Sequence, residues 1–350
     1  MNLLRQTLAA LNPVQGCGPW LQQLVQQQQD QLPLPGAGHT LARWQALADV
    51  AACDLSLVKL FEGHTDALAI LHELGADNLL GRIARPEHAC WAVWASEAPP
   101  GRVTITAGAS PETVQLNGIK HWCSGASSVD FALLTAWQAD GSGPQLVALP
   151  LAQAGVHVVP DLWQAVGMAA SGSFDVQLTR ATGWRVGKPG AYLSRPGFWH
   201  GGAGIAACWY GGAMGLAHSL HQSMVDMAVR TGGAPWSPFK LAATGRVDVV
   251  LRSTALLLID AARWIDEHPA NDACTTALRV RLAAQACAQQ VLDEVGRALG
   301  PTPFCHNAAF ARLAADLPVF IRQCSADADF AALGQQVLQQ VDGNHTPWSL

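Results

Sequence analysis

The stretch that decides the fold is NGIKHWCSGASSVDFALLTA, residues 117–136. It places Trp122 and Ser124 just before a Gly-Ala turn, and an apolar run typical of a β-strand follows. The Asn117-Gly118 pair that precedes them is a strong signal for a tight hairpin, because both central residues of that turn favour positive φ. We therefore predict that this stretch is the return strand of a hairpin. Near the end of such a strand, a sheet can present side chains to a ligand.

Short apolar or alternating segments surround this strand in the middle of the chain. Gly, Pro, Asn and Ser separate them, which is the pattern of a β-rich module. The segments are CWAVWAS, RVTITAG, TVQL, FALLTAW, QLVALPL, VHVVP and SFDVQLT. They predict a β domain over residues 89–188.

Helical periodicity dominates on both sides of the β segments. Upstream, LARWQALADVAACDLSLVKLFEGHTDALAILHELG repeats apolar residues at spacings of three and four, which predicts a helical domain over residues 1–88. Downstream, three or four long segments are apolar around much of their circumference, as in helices buried between neighbours. They predict a C-terminal four-helix bundle over residues 189–350. The predicted fold class is mainly α with a central, barrel-like β domain.

The composition indicates a subunit of a larger assembly. The chain has 350 residues, of which 50% are hydrophobic and only 13% are charged. So little polar surface favours association with further copies, as a homodimer or homotetramer. The net charge is −5 and the basic residues are scattered, so neither nucleic acid nor an anionic membrane is expected as a partner.

The cysteines and the N-terminus indicate a cytoplasmic protein. Nine cysteines form an odd set without a Cys-x-x-Cys pair, which favours reduced, buried thiols. We see no secretory signal and no apolar run of the roughly 20 residues that span a bilayer. His64 with His72, and Cys305 with His306, do not supply four ligands, so no metal site is predicted.

One stretch matches a dinucleotide-binding motif, but its flanking sequence does not support that function. GAGIAA, residues 202–207, fits the dinucleotide pattern Gly-x-Gly-x-x-Ala, and Asp226 follows at about the spacing of a ribose-binding acid. SRPGFWHG precedes it instead of an apolar strand, and no second strand follows. We predict instead that these glycines allow a neighbour to approach a buried helix closely.

Five segments follow one another along nearly the whole chain: VWASEAP (93–99), LNGIKHWCSGA (116–126), VGMAASGSFDVQL (166–178), GGAMGLAHSL and RLAADLPVFIRQ. In this order they resemble motifs of the acyl-CoA dehydrogenase family of flavoproteins. The first has Ser96 where the family has threonine in its Thr-Glu-Pro stretch, and the third lacks the family's arginine.

The resemblance implies a flavin cofactor, FAD or alternatively FMN, beside the Trp-x-Ser strand. It gives Trp122 and Ser124 as flavin contacts, with Ser96 as a third. An indole packs well against a flat ring system, and a hydroxyl two residues on can hydrogen-bond the reactive edge of the flavin.

The resemblance also implies contacts to the rest of FAD. Arg230, in MAVRTGG, corresponds to the arginine that holds the pyrophosphate of the neighbouring subunit's FAD, a contact suited to a guanidinium. Gly233 stands where the family has phenylalanine. Gly300, in RALGPTPF, resembles a glycine-rich loop near the adenosine.

The catalytic base is missing from its usual places. Dehydrogenation needs a group that removes the α-proton, and the two positions that the family uses fall on Cys324 and near Ile205. Asp327 or Asp329, in CSADADF, is a candidate base. His200, in GFWHGG, is another, because a neutral imidazole is a competent base near neutral pH.

The resemblance implies α,β-dehydrogenation of an acyl thioester carried by CoA or by a carrier protein, with the electron acceptor left open. A flavin-dependent monooxygenase of the same fold is the alternative, since that chemistry requires no carboxylate base. A third alternative is a catalytically degenerate paralogue that serves as a binding or assembly protein.

Overall fold

The computed structural model describes residues 3–12, 15–83, 85–97, 102–138, 140–141, 143–233, 236–339 and 348. In these residues, helices precede and follow a block of β-strands, which confirms the predicted mainly-α fold class with a central β domain. The α-helices are α1 (Leu3–Ala9), α2 (Cys17–Gln26), α3 (Thr40–Cys53), α4 (Leu55–Glu73), α5 (Ala191–Ser194), α6 (Gly197–Arg230), α7 (Pro238–Glu267), α8 (Cys274–Leu299), α9 (Thr302–His306), α10 (Ala308–Phe320) and α11 (Ala326–Gln339).

The strands form one sheet that closes on itself. They are β1 (Trp91–Trp94), β2 (Thr104–Ala107), β3 (Thr113–Cys123), β4 (Phe131–Trp137), β5 (Pro144–Pro150), β6 (Val156–Val159) and β7 (Phe174–Val186). The order is β1-β4-β2-β3-β7-β5, and β4 also pairs with β5. β6 pairs with β7. The β4–β5 pairing turns the sheet into the predicted barrel-like domain.

The predicted hairpin at Asn117-Gly118 is wrong. β3 runs through both residues as one strand, and its pairing with β7 shifts register between Leu116 and Asn117. The Asn117 Oδ1 atom accepts a hydrogen bond of 2.9 Å from the backbone N–H of Arg180. Gly118 has φ 126°, and a Cβ there would lie 2.5 Å from the carbonyl oxygen of Arg102. The Asn-Gly pair therefore supports a β-bulge and a close strand contact instead of a turn.

The chain divides into two compact units. The first combines Met1–Leu34 with Ser56–Phe198, and the second combines Pro35–Leu55 with Trp199–Leu350. The division into three domains at residues 88 and 188 stays a prediction.

In the first unit, α4 packs on the sheet through a core that includes Ile70, Leu71, Trp91 and Leu133. His64, on α4, is buried and connects this helix to two other segments. Its Nδ1 atom lies 3.1 Å from the backbone N of Trp91, and its Nε2 atom lies 3.1 Å from Asp30 Oδ2. Because a backbone N–H can only donate, Nδ1 is the acceptor and Nε2 carries the proton that Asp30 accepts.

In the second unit, glycines on α6 allow α3 to pack closely against it. A Cβ at Gly211 would lie 2.3 Å from the carbonyl oxygen of Ala48, and one at Gly204 would lie 3.4 Å from Trp44 Nε1. GAGIAA lies inside the continuous helix α6. A Cβ at Gly202 would lie 3.7 Å from the Trp199 side chain, an ordinary contact, so the closest approach of α3 is at Gly211, outside this motif. Between β7 and α6 the described residues form the short helix α5, so no strand leads directly into the motif.

The start of α3 is capped by a residue far away in sequence. Asp266 accepts hydrogen bonds from the backbone N–H groups of Gly38 and Thr40, at 3.0 Å each. It also accepts one of 2.6 Å from the Thr40 hydroxyl. This carboxylate satisfies donors that the first turn of a helix leaves open.

All nine cysteines lie in the described ranges and none forms a disulfide, but only five of them are buried as predicted. Cys53 and Cys305 are exposed, and Cys274 and Cys324 are half-buried. Burial raises the pKa of the Cys90 thiol to about 12. Among the described helices, none is both long and apolar enough to cross a lipid bilayer.

Candidate functional site

Trp122 lies at a distorted end of β3. It has φ 60°, and the pairing with β7 shifts register between Lys120 and Cys123. Ser124 lies in the turn beyond the strand. The bulge interrupts the alternation of side chains along β3, so strand alternation does not place Trp122 and Ser124 on one face of the sheet. Positive φ is unfavourable for a bulky residue and is found where the surroundings enforce it, often at functional sites.

The indole of Trp122 is held out into solvent. Its side chain is 58% exposed, which is unusual for so large an apolar group. The indole makes an edge-to-face contact with Trp163, with the ring centroids 6.2 Å apart. Trp163 makes a similar contact with Phe174, with the centroids 6.5 Å apart. The Trp163 Nε1 atom donates a hydrogen bond of 3.0 Å to the carbonyl of Ala169. The edge contact between Trp122 and Trp163 leaves much of the Trp122 indole available to a flat ligand.

Three serines form a hydrogen-bonded row beside this tryptophan. The hydroxyl oxygens of Ser124 and Ser173 are 2.8 Å apart, and those of Ser173 and Ser171 are 2.9 Å apart. Ser171 is buried, and its hydroxyl donates to the carbonyl of Met168 at 2.8 Å. We call Ser124, Ser173 and Ser171 the serine row.

Backbone contacts hold the serine row in place. The backbone N–H of Gly125 donates to the carbonyl of Ser171 at 2.8 Å. The indole N–H of Trp94 donates to the carbonyl of Ser124 at 3.0 Å. Trp94 is buried on β1, so the turn that carries Ser124 is fixed from two sides.

Ser96 is exposed, and the residue after it is tightly held. The Glu97 carboxylate accepts hydrogen bonds from Lys120 Nζ at 2.8 Å, from Trp137 Nε1 at 3.0 Å and from the hydroxyl of Thr135. Burial alone would raise the pKa of Glu97, but these hydrogen bonds and the Lys120 charge lower it overall. Burial also lowers the pKa of Lys120, although Glu97 opposes that effect.

A small cavity of about 10 Å³ adjoins Ser124, lined also by Lys59, Gly63 and Ala92. It is large enough for about one water molecule and far too small for a cofactor. A ring system at this site would therefore contact the exposed indole of Trp122 instead of entering this cavity.

An acidic pair on α4, Glu62 and Asp66, was not predicted from the sequence. Burial and the nearby Asp66 raise the pKa of Glu62, although Lys59, at 3.1 Å, opposes the shift. Burial raises the pKa of Tyr192 to about 12, against Arg195, and Asp66 and Glu62 add to the increase. The sequence does contain a signal for this pair, because a spacing of four residues places Glu62 and Asp66 next to each other on one face of the helix.

The predicted residues of the second unit lie on separate elements. His200, near the start of α6, is 2% exposed and packs against Gly36, where a Cβ would lie 3.3 Å from its ring. Arg230 is exposed as the last residue of α6. Gly300 ends α8 with φ 67°. Asp327 is exposed in the first turn of α11.

The remaining positions named above in connection with a catalytic base are Ile205, Cys324 and Asp329, and they differ in burial and in their contacts. Ile205 is buried. Cys324 is half-buried. Asp329 forms an ion pair of 2.8 Å with Arg281. Within the described ranges, no group of three or more His, Cys, Asp or Glu side chains could hold a metal ion.

Comparisons with known proteins give structural relatives only. No family model matches the chain. No curated protein matches it either.

Solved structures from three proteins illustrate the structural similarity. A dibenzothiophene monooxygenase (TdsC) from Paenibacillus sp. A11-2, also solved with FMN bound, has 18% identity, a TM-score of 0.73 and coverage of 99% of both chains. Methanesulfinate monooxygenase MsuC from Pseudomonas fluorescens has 18% identity and a TM-score of 0.69, covering 97% of this chain and 100% of its own. A probable acyl CoA dehydrogenase from Mycobacterium abscessus has 13% identity, a TM-score of 0.78 and coverage of 96% of both chains. At these identities the likeness confirms the resemblance inferred from the sequence at the level of the fold.

Proposed function

We propose that this chain, which has an acyl-CoA dehydrogenase-like fold, is a flavin-dependent oxidoreductase. The observation that carries the proposal is the exposed indole of Trp122, held at positive φ beside the hydroxyl of Ser124. An unfavourable backbone conformation that exposes a large aromatic group is understandable where that group meets a ligand ring. FMN-bound TdsC shows that a protein of similar fold binds a flavin.

The residues of this chain fit a flavin in three ways. Trp122 offers a ring face, Ser124 offers a hydroxyl, and Ser96 is an exposed hydroxyl on a segment anchored by Glu97. Arg230 and Gly300 would serve the pyrophosphate and adenosine if the cofactor is FAD, and FMN would not need a contact to adenosine. When bound, the flavin supplies two-electron transfer and, in its reduced form, reactivity toward oxygen.

For the chemistry, we propose oxygenation of a small organic substrate by reduced flavin and oxygen. A dehydrogenase needs a base opposite the flavin, and neither Ile205 nor Cys324 is a carboxylate. Of the candidate replacements, His200 is buried against Gly36 and Asp329 is paired with Arg281. TdsC and MsuC are both described as monooxygenases.

The second candidate is α,β-dehydrogenation of an acyl thioester, carried by CoA or by a carrier protein. Its support is the structural likeness to the probable acyl CoA dehydrogenase and the exposed carboxylate of Asp327, which is available to act as a base. A non-catalytic binding or assembly role is the remaining alternative.

One set of spectra tests all three. The purified protein is titrated with FMN and with FAD, and bound flavin is followed by its visible absorption. Oxygen consumption with chemically reduced flavin is then compared with bleaching of oxidised flavin by a panel of acyl-CoAs without oxygen. We expect flavin binding and no bleaching by any acyl-CoA. Bleaching would establish dehydrogenation, and failure to bind either flavin would leave the binding role.

A further inference from the structure

We propose that Ser171 and Ser173 fix the hydroxyl of Ser124 as a hydrogen-bond acceptor, so that this site binds reduced flavin more tightly than oxidised flavin. The inference rests on the proposed flavin site. It makes Ser171 and Ser173 positioning residues, since they act through Ser124.

The direction of the serine row follows from counting hydrogens. A serine hydroxyl has one hydrogen, and a carbonyl oxygen has none. Ser171 must therefore donate its hydrogen to the carbonyl of Met168, 2.8 Å away. In the contact between Ser171 and Ser173, at 2.9 Å, the hydrogen must come from Ser173.

The same argument extends to Ser124, the half-buried end of the row. Because the Ser173 hydrogen is directed at Ser171, the 2.8 Å contact between Ser124 and Ser173 needs the hydrogen of Ser124. Ser124 then has only lone pairs left for a ligand. The order is stable because Ser171 is 1% exposed, so water has little access to the end of the row at which the direction is set.

An acceptor at this place distinguishes the two redox states of a flavin. The reactive edge of an oxidised flavin presents an unprotonated ring nitrogen, which can only accept a hydrogen bond. Two-electron reduction adds a hydrogen to that nitrogen and makes it a donor. A hydroxyl that can only accept forms a hydrogen bond with the reduced form and none with the oxidised form.

This preference suits oxygenation by a flavin that is supplied already reduced. A protein that binds one state of a ligand more tightly shifts the equilibrium toward that state. Reduced flavin would therefore be captured and retained until oxygen reacts, whereas oxidised flavin would leave.

The test is a pair of anaerobic titrations that measure the dissociation constants of oxidised FMN and of dithionite-reduced FMN. For the unaltered protein we expect the reduced form to bind about tenfold more tightly, as one well-placed hydrogen bond predicts. Ser173→Ala removes the acceptor of the Ser124 hydrogen, and Ser171→Ala releases the direction of the row. Both variants should lower the ratio of the two constants toward one.

Two control variants show that the ratio reports hydrogen-bond direction. Ser173→Thr keeps the hydroxyl and should keep the ratio. Ser253→Ala removes an exposed hydroxyl on α7 that bonds only to carbonyls of its own helix, and it should also keep the ratio.

Equal affinity for the two forms in the unaltered protein, or an unchanged ratio in both alanine variants, overturns the inference alone. Binding of neither form overturns the proposed function and the inference with it.

Discussion

At the scale of single residues, Trp122 gives the first prediction. We expect Trp122→Ala combined with Ser124→Ala to weaken FMN binding by at least about tenfold, because both the ring contact and the hydroxyl are lost. Helical content should be unchanged, because the Trp122 side chain is 58% exposed. Fluorescence titration and circular dichroism measure the two effects.

Trp236→Ala is the control, since Trp236 is another partly exposed tryptophan and is not among the residues proposed to contact the flavin. Unchanged FMN affinity in the double variant would show that this strand is not the flavin site.

The ion pair of Glu97 with Lys120 gives a prediction about pH. Lys120 is 3% exposed, so Glu97→Gln leaves a buried charge without its counter-charge and should cost about 3 kcal/mol of the free energy of unfolding near pH 7. The folded-state pKa of Glu97 is lowered from its ordinary value of 4.5. Its contribution is therefore present above that value and is lost as pH falls through the folded pKa.

Urea unfolding of the two proteins at about pH 7 and about pH 3 measures this difference. The gap between them should shrink at the lower pH. A gap of the same size at both would mean that the Glu97 charge is not its cause.

The residues of the site were predicted only in part, because the serine row depends on tertiary contacts. Trp122 and Ser124 were visible in LNGIKHWCSGA. Ser171 and Ser173 lay within another quoted segment, VGMAASGSFDVQL, but nothing local assigns them a role. The contact that gives Ser173 its role crosses 49 positions of the chain.

At the scale of secondary-structure elements, the contact between α6 and α3 gives the third prediction. A Cβ at Gly211 would lie 2.3 Å from the carbonyl oxygen of Ala48, so Gly211→Ala must move one helix away from the other. We expect a loss of about 1–3 kcal/mol in the free energy of unfolding.

Gly245→Ala on α7 is the matched control. A Cβ there meets no atom within 4 Å, so this change should stabilise the protein by a few tenths of a kcal/mol to about 1 kcal/mol through helix propensity. Thermal or urea unfolding compares the two variants. Equal effects would contradict close packing at Gly211.

The elements themselves were largely predictable, and the exceptions have physical reasons. The long helices followed from apolar spacing because helices such as α8 bury one apolar face against their neighbours. The Asn117-Gly118 pair gave a wrong prediction because a residue with positive φ occurs in a β-bulge as well as in a hairpin turn. Only the pairing of β3 with β7 distinguishes the bulge from the turn. The cap that Asp266 places on α3 has no local signal, since it lies 226 positions from Thr40.

At the scale of the whole molecule, exposed apolar side chains on α7 support the proposed homo-oligomer. Val249 is 69% exposed, Leu256 is 52% exposed and Ile259 is 43% exposed, and their spacing places them near one face of the helix. We expect light scattering to give a mass of two or four chains. Val249→Arg with Leu256→Arg should shift the protein toward the monomer.

Gln289→Arg, an exposed change on α8, is the control and should leave the mass unaltered. A single-chain mass for the unaltered protein would contradict the proposed assembly.

The closed sheet has a consequence for how the protein behaves at high concentration. The long strands β3 and β7 have neighbours on both sides. The strands that end the pairing pattern, β1 and β6, have four residues each. Short edges give another polypeptide little backbone on which to add a strand. The topology of the β domain therefore helps to protect it against edge-to-edge aggregation.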